Sequence, residues 1–266
     1  MADAPIPVVF IHGLWLHPLS WARWTVLFDA AGYRAVAPGW PGVPDTVDAA
    51  RANPDSIADH GIDDVASHYA RIIKGLSAKP VVIGHSVGGM IAEKLLGQGL
   101  VAAAIAIDAA RITGVLPLPL SSLWSALPES RSPAARRRAV SLTAEQFRYS
   151  FGSAVNADES DVLYRRWSIP APCRVLFDAT APGFSLRSSP RISPAINNHG
   201  PLLLIMSGQD LSVPEPVTRS ALRRYSRSHP INDLIEFPDR GHSLTLDHGW
   251  RDVARACLDW LYQHGL

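Results

Sequence analysis

The stretch "PVVIGHSVGGMIAEKLL", Pro80 to Leu96, decides the fold. It opens on a short β-branched apolar run suited to a strand and closes on a pattern suited to a helix. Between them lies Ser86, with Gly84 two residues before it and Gly88 two residues after. A chain that swings directly from strand to helix forces its apex residue into a sparsely populated backbone conformation. Side chains two positions away on either side would then collide with the turn. Glycines at both places remove those side chains and leave the Ser86 hydroxyl projecting above the sheet edge. The turn also sets Ser86 at a helix N-terminus, where free N–H groups and the helix dipole favour developing negative charge. G-x-S-x-G between a strand and a helix is the pattern of a nucleophile elbow.

Outward from this turn, short apolar runs alternate with helical patterns, as expected of a parallel sheet covered on both faces. Strands are expected at Ile6–Ile11, Tyr33–Ala37, Val81–Ile83, Ala102–Ile107, Leu202–Met206 and Leu234–Phe237. Their continuous apolar character fits strands buried on both sides. Helices are expected near Trp21–Ala31, Ser56–Lys74, Val87–Gln98, Glu215–Tyr225 and Gly249–Tyr262. From about Arg111 to Gly200 the rhythm breaks into prolines and short amphipathic pieces with no convincing strand. A structureless loop of that length does not suit a compact domain, so a small helical insertion is expected. Its aromatics, among them Trp124, Phe147, Phe151 and Tyr164, need an apolar partner: their own core or a site beneath them.

A serine hydroxyl is a poor nucleophile until a base accepts its proton. After the run "PLLLIM" comes "SGQDLSVP", which sets Asp210 on a loop at that strand's carboxyl end. After "LIEF" comes "PDRGHSL", which sets His242 on the next such loop. The order Ser, acid, His is the one an elbow of this kind expects, and all three lie where open α/β sheets build their sites. His242 is the candidate base, with Asp210 fixing its tautomer. Asp108, just past "AAIAI", competes for the acid's role; Asp239 and Asp247 sit on the histidine's own loop and read as turn and cap residues. Acyl transfer also needs donors for an oxyanion. The N–H of Val87 is one candidate. The His12-Gly13 turn supplies the other from Leu14, with Trp15 as second choice.

Together, "VVFIHGLWLHPLSW", "VVIGHSVGGM", "LLLIMSGQDLSVP" and "FPDRGHSL" resemble the oxyanion loop, elbow, acid loop and histidine loop of serine α/β-hydrolases, in that order. The resemblance covers the whole chain except the insertion, which falls where that family carries a helical lid. It implies an α/β-hydrolase core from residues 1–110 and 200–266, with a mostly parallel, doubly wound sheet, and a lid over 111–199. The short stretch before the first strand implies that the family's first antiparallel strands are absent or trimmed. Related dehalogenases and epoxide hydrolases carry Asp at the elbow, so Ser86 argues against both. The implied chemistry is hydrolysis of a carboxylic ester, lactone or thioester with a hydrophobic part, through an acyl-enzyme. Trp15, Trp124 and Phe147 are candidates to line the substrate site. The same triad also serves C–C cleavage and lyase chemistry in relatives, and some relatives are ligand receptors with vestigial activity. The insertion has no lysine, which counts against a lysine-assisted lyase.

Composition narrows the classes further. Of 266 residues, 47% are hydrophobic and 18% charged, enough for a large core and too apolar for global disorder. A net charge of +1 gives no reason to expect nucleic acid as a partner. The run Arg136-Arg137-Arg138 points its charges in different directions on a helix and reads as solvated surface. Two cysteines, Cys173 and Cys257, show no ligand spacing, and neither a metal nor a cofactor is expected. No basic, apolar leader opens the sequence and no run reaches the roughly 18 apolar residues of a membrane span. A cytoplasmic enzyme acting on a small molecule is the expectation.

Overall fold

The structure, a computed structural model, describes residues 4–110, 133–180, 200–216, 218–219, 222 and 232–266. Its centre is a six-stranded sheet: β1 (Pro7–Ile11), β2 (Arg34–Val36), β3 (Val81–His85), β4 (Ala103–Ile107), β7 (Leu202–Ser207) and β8 (Asn232–Phe237). They lie in the order β2-β1-β3-β4-β7-β8, with every pairing parallel. The four inner strands are buried along their whole length, which is why they read as unbroken apolar runs. Successive side chains enter opposite layers. Val9, Ile11, Val82, Ala104 and Leu204 face one, while Val8, Phe10, Ile83, Ile105 and Leu203 face the other.

The first layer holds α3 (Ile62–Lys74) and α4 (Val87–Gly97). In α3, Ile62, Val65, Ala66, Tyr69 and Ile73 are buried at helical spacing, with Asp63 and Asp64 in the first turn and Arg71 and Lys74 in the last. The chain before it differs from expectation. A helix from Ser56 is interrupted, because Asp59 takes a positive φ of 59° and Gly61 serves as N-cap, its N–H donating to Asp64 Oδ2 at 2.9 Å. A further helix, α2 (Val47–Ala52), capped by Thr46, is too short to stand out in the sequence.

The second layer holds α1 (Ala22–Ala30) and α8 (Trp250–Gln263). Trp21, Trp24 and Phe28 enclose Phe10, with ring centroids 4.9, 5.9 and 5.2 Å away. Trp24 Nε1 also donates to the Thr245 carbonyl at 2.9 Å, fixing the loop that carries His242. A large-to-small change in such an aromatic cluster costs about 3–5 kcal/mol.

Between β4 and β7 the described residues form α5 (Ala144–Ser150), α6 (Ala157–Trp167) and α7 (Cys173–Thr180). Thr143 and Gln146 form a capping box on α5, and Asn156 caps α6. Contrary to expectation, two strands are present here: β5 (Ala139–Val140) pairs antiparallel with β6 (Ala171–Pro172). Two residues per strand carry no alternation for a sequence reading to detect. The segment is tied to the sheet's carboxyl edge. Trp15 Nε1 donates to Val140 O at 3.0 Å, Leu16 bridges Ser168, and Ser212 Oγ donates to Ser150 O at 2.7 Å. The helix expected at Glu215–Tyr225 lies partly outside the described residues; 215–216, 218–219 and 222 are helical. No helix among the described residues is long and apolar enough to cross a membrane.

Candidate active site

Strand order reverses between β1 and β3: the chain runs from β1 to one side and returns to the other through β3. The loops leaving these two strands therefore flank the crevice where open α/β sheets bind ligands. Ser86 leaves β3 with φ 57° and ψ −119°. A Cβ on Gly84 would sit 2.1 Å from the Gly88 carbonyl oxygen, and one on Gly88 would sit 2.3 Å from that of Ile11. Both obstacles are backbone, so neither can yield. The strained apex is held by its neighbours: Ser86 N–H donates to Ile107 O at 2.9 Å, and Ser86 C=O accepts from Ala110 N–H at 3.0 Å.

His242 Nε2 lies 3.0 Å from Ser86 Oγ, and its Nδ1 lies 2.6 Å from Asp210 Oδ2. The other Asp210 oxygen accepts from the N–H groups of Ser212 and Val213 at 2.6 and 2.9 Å. A carboxylate held this way can only accept from the imidazole, so Nδ1 carries the proton and Nε2 faces the serine as acceptor. All three side chains are buried. Asp247, read as a turn or cap residue, pairs with Arg240 and accepts from Ser243 Oγ at 2.9 Å and Gly249 N–H at 3.1 Å. It braces the histidine loop without touching the histidine.

The loop after β1 approaches the elbow closely: a Cβ on Gly13 would lie 3.2 Å from Ser86 Cβ. His12 fixes this loop. Its Nε2 accepts from Trp40 N–H at 3.2 Å, its Nδ1 donates to Gly13 O at 3.0 Å, and its ring stacks on Trp40. Burial lowers its pKa to about 3, so the ring is neutral at physiological pH. Trp15 follows with a positive φ of 64°. Among the described residues, the N–H groups of Leu14 and Val87 have no acceptor. These are the two donors expected for an oxyanion.

The remaining expected residues fall in different places. Trp15 is buried, with its indole N–H held by Val140. Phe147 is fully buried and stacked on Phe151, with centroids 4.8 Å apart. Trp124 lies outside the described residues. Phe151 lies beside His242, with ring centroids 5.0 Å apart. Its signal in the sequence was its place one helical turn beyond Phe147, which puts both rings on one face. Asp108, the competing acid, accepts from Ser207 rather than from His242.

Ligand atoms of His85, Asp108 and His242 lie within 4.8 Å of one another, a grouping invisible in the sequence spacing. Both nitrogens of His242 are already engaged with Ser86 and Asp210, so the trio does not make a metal site. Burial, and then the neighbouring His242, hold the His85 pKa well below its usual value.

Residues 8–256 match the alpha/beta hydrolase family. The chain belongs to that family, and as a class it is a hydrolase. No curated protein matches it by sequence. Among solved structures it is similar to a methylesterase from Arabidopsis, at 18% identity and TM-score 0.67, over 97% of this chain and 99% of that one. It is also similar to a monoacylglycerol lipase from Paleococcus ferrophilus, at 17% identity and TM-score 0.65, over 98% and 96% of the two chains. A thermophilic esterase from Thermogutta terrifontis aligns at 19% identity and TM-score 0.67, over 98% and 91%.

Proposed function

We propose that the protein is a serine hydrolase that cleaves a carboxylic ester, lactone or thioester with a hydrophobic part through an acyl-enzyme. The observation that carries this is the continuous hydrogen-bonded line from Ser86 through His242 to Asp210. In this reading Ser86 Oγ attacks the carbonyl carbon as its proton passes to His242 Nε2. The imidazolium that forms is stabilised by Asp210, which needs no proton of its own. Negative charge on the former carbonyl oxygen is met by the N–H groups of Leu14 and Val87, already fixed by the elbow and by neutral His12. Breakdown expels the alcohol or thiol, which takes the proton from His242. Water, activated by the same base, then releases the acid and restores Ser86.

The segment between β4 and β7 acts as a lid in this proposal, with Phe151 forming the wall over His242. Its ties to Trp15, Leu16 and Ser212 support that role. The esterases and lipases of like fold agree with ester chemistry, without choosing a substrate. A cytoplasmic location belongs to the same proposal, since Cys173 and Cys257 are buried thiols rather than a disulfide.

The test is a fluorophosphonate probe with mass-spectrometric mapping, followed by an ester, lactone and thioester panel on wild type and Ser86→Ala. Labelling at Ser86, and a loss of turnover on the order of 10⁶ in the Ala variant, are expected. An Ala variant that kept a tenth of the activity would remove Ser86 from the mechanism. Labelling at Ser86 with no turnover across the whole panel would move the chemistry to C–C cleavage.

A further inference from the structure

Asp108 is a second carboxyl group buried beside the triad, and the mechanism above gives it nothing to do. It is wholly buried at the end of β4, in a positive-φ conformation (41°) that only a few non-glycine residues tolerate. Its N–H is fixed to Ile205 O at 2.9 Å. Its Oδ1 accepts from Ser207 N–H at 2.8 Å, and its Oδ2 lies 2.7 Å from Ser207 Oγ. Across from it stands Asp210, in side-chain hydrogen-bonding contact, with His242 and His85 close by. Among the described residues, no Arg or Lys pairs with either carboxyl group.

The proton count between the two carboxyl groups decides how Asp108 is charged. Ser207 Oγ has one proton, yet it lies within hydrogen-bonding distance of two acceptors, Asp108 Oδ2 and the Gly241 carbonyl at 3.2 Å. The shorter contact is the one to Asp108, so Ser207 donates to both Asp108 oxygens and takes no proton from them. The contact between the two carboxyl groups is what demands a proton, since two bare carboxylates repel and cannot bond to each other. Asp210 already accepts from two backbone N–H groups and from His242, so it is the partner that stays ionised.

We propose that Asp108 is a proton-bearing positioning residue, whose neutral carboxyl group accepts from Ser207, gives its one proton to Asp210 and so holds the Asp210 carboxylate on His242 Nδ1. Burial, then the charge of Asp210, push Asp108 well above the usual carboxylate range, in agreement with this assignment. Among the described residues, Asp210, His242 and His85 are the titratable groups that face it, and His85 is kept neutral by burial. The catalytic part of the proposal rests on Ser86, His242 and Asp210 being the triad. The protonation part does not.

Asp108→Ala, Asp108→Asn and wild type are compared in two measurements. The first is kcat and KM on an ester that wild type cleaves. Removing a hydrogen bond to a charged group makes Asp108→Ala lose about 10- to 100-fold in kcat with KM little changed. Asparagine can accept from Ser207 N–H and donate from its amide, as the neutral acid does, so Asp108→Asn recovers most of that loss. The second measurement is denaturant stability of wild type and Asp108→Asn from pH 5 to 8. A group that holds its proton in the fold but loses it when unfolded makes stability fall as pH rises. Wild type therefore loses stability relative to Asp108→Asn across this range. A wild-type-minus-Asn difference that is flat or rising with pH would show Asp108 ionised and overturn the proposal, whatever becomes of the triad. So would an Asn variant as impaired in kcat as the Ala variant. If Ser86→Ala proved active, the triad reading would fail by itself and the stability comparison would still judge the proton.

Discussion

Asp210→Asn is the change that most sharply separates the two buried acids. Asparagine is nearly isosteric, and its carbonyl oxygen can keep the two N–H bonds from Ser212 and Val213 now made to Oδ1. The amide –NH₂ must then occupy the place of Oδ2, 2.6 Å from His242 Nδ1. Two donors cannot face each other, so the imidazole moves its proton to Nε2. There it points at Ser86 Oγ, 3.0 Å away, and the lone pair that should receive the serine proton is gone. The fold survives while the base is lost. In serine proteases the corresponding change costs about 10⁴ in turnover, or roughly 5.4 kcal/mol at about 1.36 kcal/mol per tenfold. The assay is kcat/KM on a chromogenic ester, using protein whose melting temperature and circular dichroism match wild type. Asp108→Asn, measured alongside, should lose far less. An Asp210→Asn enzyme within tenfold of wild type would refute the tautomer argument, and a larger loss for Asp108→Asn would move the acid to the end of β4.

Two further outcomes follow from the geometry. Phe151→Leu should lower kcat/KM for aryl and long-chain esters by about 5- to 30-fold, equivalent to about 1–2 kcal/mol of lost apolar contact, with acetates much less affected. Phe147→Leu, buried behind it, should lower the melting temperature and treat both ester classes alike; equal losses for Phe151→Leu would mean that it too only holds the lid together. The second outcome concerns acid. The unfolded chain protonates His12 near 6.5 while the fold resists down to about 3, so stability should fall as pH drops through that window. His17 and His85, also depressed by burial, act in the same direction. His12→Asn should show a shallower fall, by at most about 1.4 kcal/mol per pH unit, and parallel curves for the two proteins would disprove the assignment.

The sheet was legible because its inner strands are buried on both faces. Val81–Ile83 and Leu202–Met206 could then be read as unbroken apolar runs without knowing their neighbours. The elbow was legible for a steric reason: with Ile11 O only 2.3 Å from where a Gly88 Cβ would stand, residue type is dictated by backbone contact. Such constraints leave a mark in the sequence. Elements stabilised mainly by tertiary contact do not. The β5–β6 ladder is held by Trp15 and the segment around it, from more than a hundred residues away in the chain, and α2 spans under two turns. The break before α3 was missed because it depends on an Asp in the left-handed region, where Asp carries no fixed signature.

The site divides along the same line. Ser86, Asp210 and His242 each follow a strong strand, so chain order alone placed them at one sheet edge. What chain order could not rank was Asp108 against Asp210, because both occupy strand ends on adjacent strands of the same edge. The ranking is set by reach. Asp108 is drawn back by its bonds to Ser207, at the last position of β7, whereas Asp210 stands three residues further along, on a loop turned toward His242. Ser207 thus orients the acid that does not touch the histidine, and the loop that follows it carries the acid that does. An acid at either strand end would satisfy a sequence pattern for a triad. Here both are present, and the single proton that two adjacent buried carboxyl groups require is what allows them to coexist beside one imidazole.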